Sequence, residues 1–457
     1  MSDLEGLLEH IRDQPDDDVP RLVAADWYEE HGDTVRAGYI RDSIALERLP
    51  EWDRSPLEQR RLETILRQHQ NRWLGEFRGM GKLSWERGFP SQLELGANRF
   101  LRDADRITRF VSGLILLRAG RSWNDLANCS ALSRVRKLVL RSSASTPASL
   151  GRFLHSPHLR SLVELDLDRC GVAANHIANF ASSEVLANLE IFHLDDHASG
   201  LAQLGELRSR KLRKFGLSFA PPEVAALEAI ARSPILRQLT HLSLTNMLDE
   251  DSAVSLAAWP VLPQLAHLNL HFGGLSTVGA RALATSNLLH NLKELRISFH
   301  EIGNQGVKAL LDSPHLQHLE SLDVGHSEGT AALGRLLAEW PGLLRLRNLG
   351  LYYNALGVAG VRALLQAPDL SALRRLDLSG CDLNLEALSL LCESPKLANL
   401  KQLTLWGNKL GPQAAPLLIR SPSLQNLEAL VIQSHTFGKT GLVRLQKQFG
   451  KERILEW

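Results

Sequence analysis

Through the last two thirds of the chain the apolar positions fall into one figure, Leu-x-x-Leu-x-Leu, separated by polar and turn-forming residues. Its third apolar position lies at Leu140, Leu167, Leu194, Leu217, Leu244, Leu270, Ile297, Val324, Leu351, Leu378, Leu405 and Ile432. Nine of the eleven steps are 27 residues, and the other two are 23 and 26. The alternation Leu-x-Leu predicts a short strand with one buried face. A second apolar ladder keeps the same interval and predicts a helix: Phe153, Phe180, Ile230, Leu256, Leu283, Leu310, Leu337, Leu364, Leu391 and Leu418. Prolines follow it at Pro157, Pro234, Pro260, Pro314, Pro341, Pro368, Pro395 and Pro422, where a helix has to stop for want of an amide donor. Each unit therefore reads strand, turn, helix, proline, return.

Neither the strand nor the helix of one unit can bury its apolar side alone, so the core must come from stacking. The pattern resembles the leucine-rich repeat, and its long unit with a true helix is similar to the ribonuclease-inhibitor type. The resemblance covers about residues 130 to 457. It implies an α/β leucine-rich repeat solenoid: a horseshoe with a parallel concave sheet and helices on the convex side. The position that the pattern fills with Asn or Cys holds Cys170, Asn354, Cys381 and Asn408, but Ala220, Met247, Gly273, His300, Ser327 and His435 elsewhere. Looser turns are predicted between residues 195 and 330, and a turn in place of a helix in the short unit ending at Leu217.

A solenoid needs closed ends. Ser91–Leu95 and Gly113–Leu117 read as degenerate strands ahead of the array, and Arg453–Trp457 as a short final strand after it. Residues 1–48 lack the repeat interval and read as helices. Their string Arg21-Leu-Val-Ala-Ala-Asp26-Trp-Tyr-Glu29-Glu30-His-Gly-Asp33 resembles the short repeat-companion domain at the start of many bacterial leucine-rich repeat proteins. Asp26, Glu29, Glu30 and Asp33 beside Arg21, Arg36 and Arg41 fit an ion-pair network better than a catalytic carboxylate pair. Pro50–Pro56 reads as a linker into an amphipathic helix, Leu57–Phe77. The expected organisation is a helical domain at 1–48, a linker helix and cap at 49–129, about 12 repeat units at 130–440 and a cap at 441–457.

Lys plus Arg number 52 against 51 Asp plus Glu, so no global field favours nucleic acid or an anionic membrane. The acidic start is unlike a secretory signal, and Leu114–Leu117 is far too short to span a bilayer. Four scattered cysteines form no CxxC pair. A reduced, cytoplasmic, non-membrane chain is expected. No nucleotide-binding, hydrolase or HExxH motif is present, and Gly303–Lys308, which suggests a phosphate loop, sits where every repeat turns into its helix.

Function should then lie in the residues that alternate outward beside the ladder leucines. Early strands carry Lys137 and Arg141, then Glu164, Asp166 and Asp168, then His193 and Asp195, then Lys214. This acidic cluster can be neutralised by neighbouring cations, can bind a basic segment of a partner, or can hold a hard metal ion. Later strands carry Phe219, His267, His271, Phe272, Phe299, His326, Tyr352, Tyr353 and Trp406, the kind of anchors that dominate protein interfaces. Phe272 and Phe299 can alternatively stack on each other over their turns. His267 and His271 are two pleats apart and cannot share a zinc ion. The expected function is non-enzymatic recognition of a protein partner on the concave face, as an adaptor, inhibitor or regulatory subunit, with no cofactor and no metal. The alternatives are an enzyme or metal-binding protein using the acidic strands, and partner binding through the amino-terminal helices.

Overall fold

The computed structural model describes residues 3–172, 176, 180, 182–195, 205–207, 209, 211–218, 224–246 and 248–456. The chain divides into two compact units, Met1–Pro50 with Arg61–Leu239 and Glu51–Arg60 with Thr240–Trp457.

In the first unit, helices α1 (Asp3–Asp13), α2 (Val19–Glu30) and α3 (Thr34–Glu47) meet through Ile11, Ala24, Ala25, Tyr28, Ala37, Ile40 and Ile44. Small alanines at the contact let these short helices approach closely. Asp33 starts α3 by accepting the Arg36 amide, and its carboxylate also holds Arg72 at 2.5 Å. Leu62 and Trp73 of α4 (Pro56–Trp73) pack with Tyr39 in a second cluster. A hairpin of β1 (Lys82–Glu86) and β2 (Phe89–Gly96) opens the sheet. Parallel strands follow: β3 (Gly113–Leu117), β4 (Lys137–Arg141), β5 (Glu164–Asp168), β6 (Ile191–Asp195) and β7 (Lys214–Ser218). The two degenerate strands expected ahead of the array are thus β2 and β3. The antiparallel β1, which has no repeat figure, closes their edge.

In the second unit the parallel strands are β8 (His241–Thr245), β9 (His267–Asn269), β10 (Glu294–Arg296), β11 (Ser321–Asp323), β12 (Asn348–Gly350), β13 (Arg375–Asp377), β14 (Gln402–Thr404), β15 (Ala429–Ile432) and β16 (Ile454–Glu456). Leu268, Leu295, Leu322, Leu349, Leu376, Leu403 and Leu430 lie in register and are buried, as are the helical Leu256, Leu283, Leu310, Leu337, Leu364, Leu391 and Leu418. The architecture is the leucine-rich repeat solenoid that the sequence implies, with a helical region ahead of it. Asp249, Ser276, Thr330 and Asn384 cap repeat helices, accepting amides of the first turn. Pro157, Pro234, Pro341 and Pro395 begin short 3-10 turns after the helices.

The turn ladder is tighter than its irregular sequence predicts. Asn354 donates to the carbonyls of Val324 and Leu351 and accepts from the amides of Ser327 and Gly329. Asn408 does the same one repeat pair later, and Cys381 Sγ lies 3.2 Å from the Leu351 carbonyl. His300 takes an equivalent slot, with Nε2 2.6 Å from the Leu270 carbonyl and Nδ1 3.3 Å from the Leu275 amide. Ser327 Oγ donates to Val324. The expected loosening is therefore corrected at His300 and Ser327, because each supplies hydrogen bonds that asparagine would supply. His435 instead lies exposed in the last helix, while Ala220, Met247 and most of the short unit fall outside the described residues.

Candidate functional site

In each unit, side chains that alternate away from the helices form an open face of the sheet. On the first unit's open face the strand pairing sets Asp166 beside His193 and Asp168 beside Asp195. Arg141 and Arg169 grip Asp168 at 2.8 and 2.9 Å, and Lys137 turns to Glu86 at 3.1 Å. Burial, reinforced by Asp168 and Glu164, pushes the Asp166 carboxyl up to about 7. Burial likewise raises Glu164, against the pull of Lys137, and lowers His193. The cluster thus combines ion pairing with partial protonation. Among the described residues no three His, Cys, Asp or Glu side chains are grouped to hold a metal ion.

Among the helices, Arg41 joins Asp26 at 2.6 Å and Glu29 at 2.5 Å, which leaves that carboxylate pair bound to a cation. Arg21 does not join this network; it is 3% exposed and donates to the Asp17 carbonyl. It lines a cavity of about 670 Å³ with Arg36, Tyr28, Trp73 and Phe89. Arg36 lies 4.1 Å over the Tyr28 ring.

The second unit's open face is aromatic. His271, Phe272, Phe299, His326, Tyr352, Tyr353 and Trp406 form an unbroken series of ring contacts, with Phe272 stacked on Phe299 at 4.4 Å and Phe299 on His326 at 4.8 Å. Four of these residues have left-handed backbone: Phe272 at φ 61°, Phe299 at 62°, His326 at 48° and Tyr353 at 54°. That conformation is unfavourable for bulky side chains, yet it recurs three residues beyond the end of each of four successive strands. There it points each amide at a carbonyl of the next repeat, as in Tyr353 to Ser379 at 2.7 Å. Gly325 leaves the space that the Tyr352 ring fills. Phe272 and Tyr353 remain 42% and 45% exposed. Phe219 lies outside the described residues.

Polar groups underlie the band. Ser298 Oγ sits 2.6 Å from His271 Nδ1 and 3.3 Å from Asp323, which also accepts the Tyr352 hydroxyl at 3.0 Å. This is not a hydrolase triad, since Ser298 is fully buried and lies between the imidazole and the carboxylate. His267 bonds Glu294 at 2.8 Å and stacks on His241 at 4.0 Å. Hydrogen bonds from His267 and the charge of Arg296 outweigh burial and hold Glu294 below the usual carboxylate range.

The supposed linker carries structure of its own. Glu51–Asp53 forms a 3-10 turn against this face. Arg347, which precedes β12, has Nη1 2.6 and 2.7 Å from the two Asp53 carboxylate oxygens. Arg375 of β13 donates to the carbonyls of Glu51 and Arg54 at 2.6 and 3.0 Å, and Arg296 of β10 lies 3.7 Å from the Glu51 carboxylate. Part of the face expected to be free is occupied. Nothing in the repeat interval signals this, because the turn comes from outside the array.

A leucine-rich repeat family model matches residues 289–311 and 371–392. These are leucine-rich repeats. No curated protein matches the chain. Among solved leucine-rich repeat folds, an internalin (inlF) from Listeria monocytogenes is 18% identical, covers 77% of this chain and 92% of its own, and has a TM-score of 0.42. Rad7 in the yeast Rad7 and Elc1 complex is 15% identical, with 75% and 87% covered and a TM-score of 0.46. No helix among the described residues is long and apolar enough to cross a membrane.

Proposed function

We propose that this chain is a non-enzymatic scaffold that recognises a protein partner on the open face of its leucine-rich repeats, as an adaptor, inhibitor or regulatory subunit. The observation that carries the reading is the aromatic band from His271 to Trp406. It is held on strained backbone and exposes Phe272 and Tyr353, which join no core. A rigid sheet carries out the ordering of these side chains during folding, so that binding need not repeat its cost. The acidic face formed by Glu164, Asp166, Asp168, His193 and Asp195 is a second contact area, suited to a basic segment. The reading includes a cytoplasmic protein, a companion domain at 1–48 and no cofactor.

Tyr353→Ala with Trp406→Ala should remove at least 90% of a specific partner's capture while leaving the melting temperature within about 3 °C, since truncating interface aromatics commonly costs 2 kcal/mol or more of binding. Retention of the same partner by the double variant would defeat the reading. The second reading, binding through the amino-terminal helices, is favoured by the cavity around Arg21 and Arg36. Deletion of residues 1–48 would then abolish capture that the aromatic variant keeps.

A further inference from the structure

The Glu51–Asp53 turn meets the arginines beneath it unevenly. Asp53 and Arg347 form one close ion pair. Arg375 donates to two backbone carbonyls and, among the described residues, has no carboxylate at ion-pair distance, while its buried Nε has no hydrogen-bond partner. Arg296 is held by its neighbour Glu294 at 2.5 Å and stands 3.7 Å from Glu51. Trp52, flanked by the two acids, is 7% exposed, and its indole N–H donates to nothing described. Three guanidinium groups thus face a segment that satisfies one of them fully. A half-buried guanidinium without a carboxylate leaves charge pairing unmade, so a better-matched acidic ligand would bind more tightly than this one.

We infer that Arg296, Arg347 and Arg375 form a docking seat for an acidic partner segment, an aromatic residue flanked by carboxylates, and that Glu51–Asp53 is its displaceable internal substitute. The inference deepens the scaffold reading and rests on it: the partner engages the face by expelling this turn. A tethered competitor acts at an effective concentration on the order of millimolar, so its removal should raise the apparent affinity of an external peptide at least about ten-fold.

The test titrates a dye-labelled, end-blocked peptide of residues 49–56 into the full chain, followed by fluorescence anisotropy. The variant Glu51→Gln with Asp53→Asn should bind at least about ten-fold more tightly than the wild type, with affinity falling as salt rises from about 0.05 to 0.5 M. Adding Arg347→Gln should abolish binding. Equal affinity for the wild type and the double variant, or binding indifferent to Arg347, overturns the inference and leaves the turn a structural latch. If the double variant melts early, Asp53→Asn alone keeps the Arg375 backbone contacts and serves for the same comparison. Peptide affinity reports on the seat and partner capture by Tyr353→Ala with Trp406→Ala reports on the band, so a failure of the seat is read separately from a failure of the aromatic band.

Discussion

His300 works in an asparagine slot because a neutral imidazole carries one donor and one acceptor on different edges, here turned to the Leu270 carbonyl and the Leu275 amide. His300→Ala should cost about 2–4 kcal/mol, since it strands both buried groups and leaves a void, whereas His300→Asn should recover about half of that. Chemical denaturation at pH 7.5 measures both. Burial lowers the His300 pKa from 6.5, so the unfolded chain takes up the proton first. Its contribution is therefore complete above the unfolded value and declines as pH falls below about 6.5; His300→Asn should flatten that decline. From sequence alone His300 is a departure from the pattern, because the pattern records residue names while the slot selects hydrogen-bonding groups. Alternation assigns His271, Tyr352 and Trp406 outward, whereas Phe272, Phe299, His326 and Tyr353 lie one position further along, where alternation alone would turn them inward. Their left-handed backbone was not legible, because Phe, His and Tyr rarely signal it.

Among the elements, the clearest device invisible to the leucine pattern lies on the helix side. Serines near the ends of the repeat helices reach back to a carbonyl of the preceding repeat: Ser156 to Ala127 at 2.5 Å, Ser183 to Leu154 at 2.7 Å, Ser313 to Ala284 at 2.6 Å and Ser421 to Cys392 at 2.7 Å. Each joins the orphan carbonyls left at a helix C-terminus to the next unit. Ser313→Ala should therefore destabilise the chain by about 1–2 kcal/mol, and pairing it with Ser421→Ala should add, the sites being four repeats apart. Urea midpoints of the two single variants and the double test the additivity. The signal was present as Ser-Pro at positions 156–157, 233–234, 313–314 and 421–422, where proline drew the attention and the serine beside it makes the bond.

The whole chain holds two compact units, and stability in a repeat array is largely a sum of neighbouring interactions, so unfolding should proceed in more than one step. Asp166 tests this. Its carboxyl is raised from 3.8 to about 7, so the folded state binds more protons between those values and stability falls as pH rises through them. Asp166→Asn should stabilise the first unit by something on the order of 1–3 kcal/mol at pH 8, with the gain shrinking toward pH 5. Guanidinium unfolding followed by hydrogen exchange should show that transition move while amides of β10–β15 stay in place. The solenoid and the register of its strands were legible because each step restores the same burial. The Glu51–Asp53 turn was not, since its partners lie some 245 to 324 residues away in sequence, from Glu51–Arg296 to Glu51–Arg375. The constant register from β9 to β15 has a genetic consequence. An unequal crossover that excises or copies one whole unit would rejoin strand to strand and serine to carbonyl without a new contact being invented. Such a lineage could lengthen or shorten its reach in whole-unit increments while its core stayed unchanged.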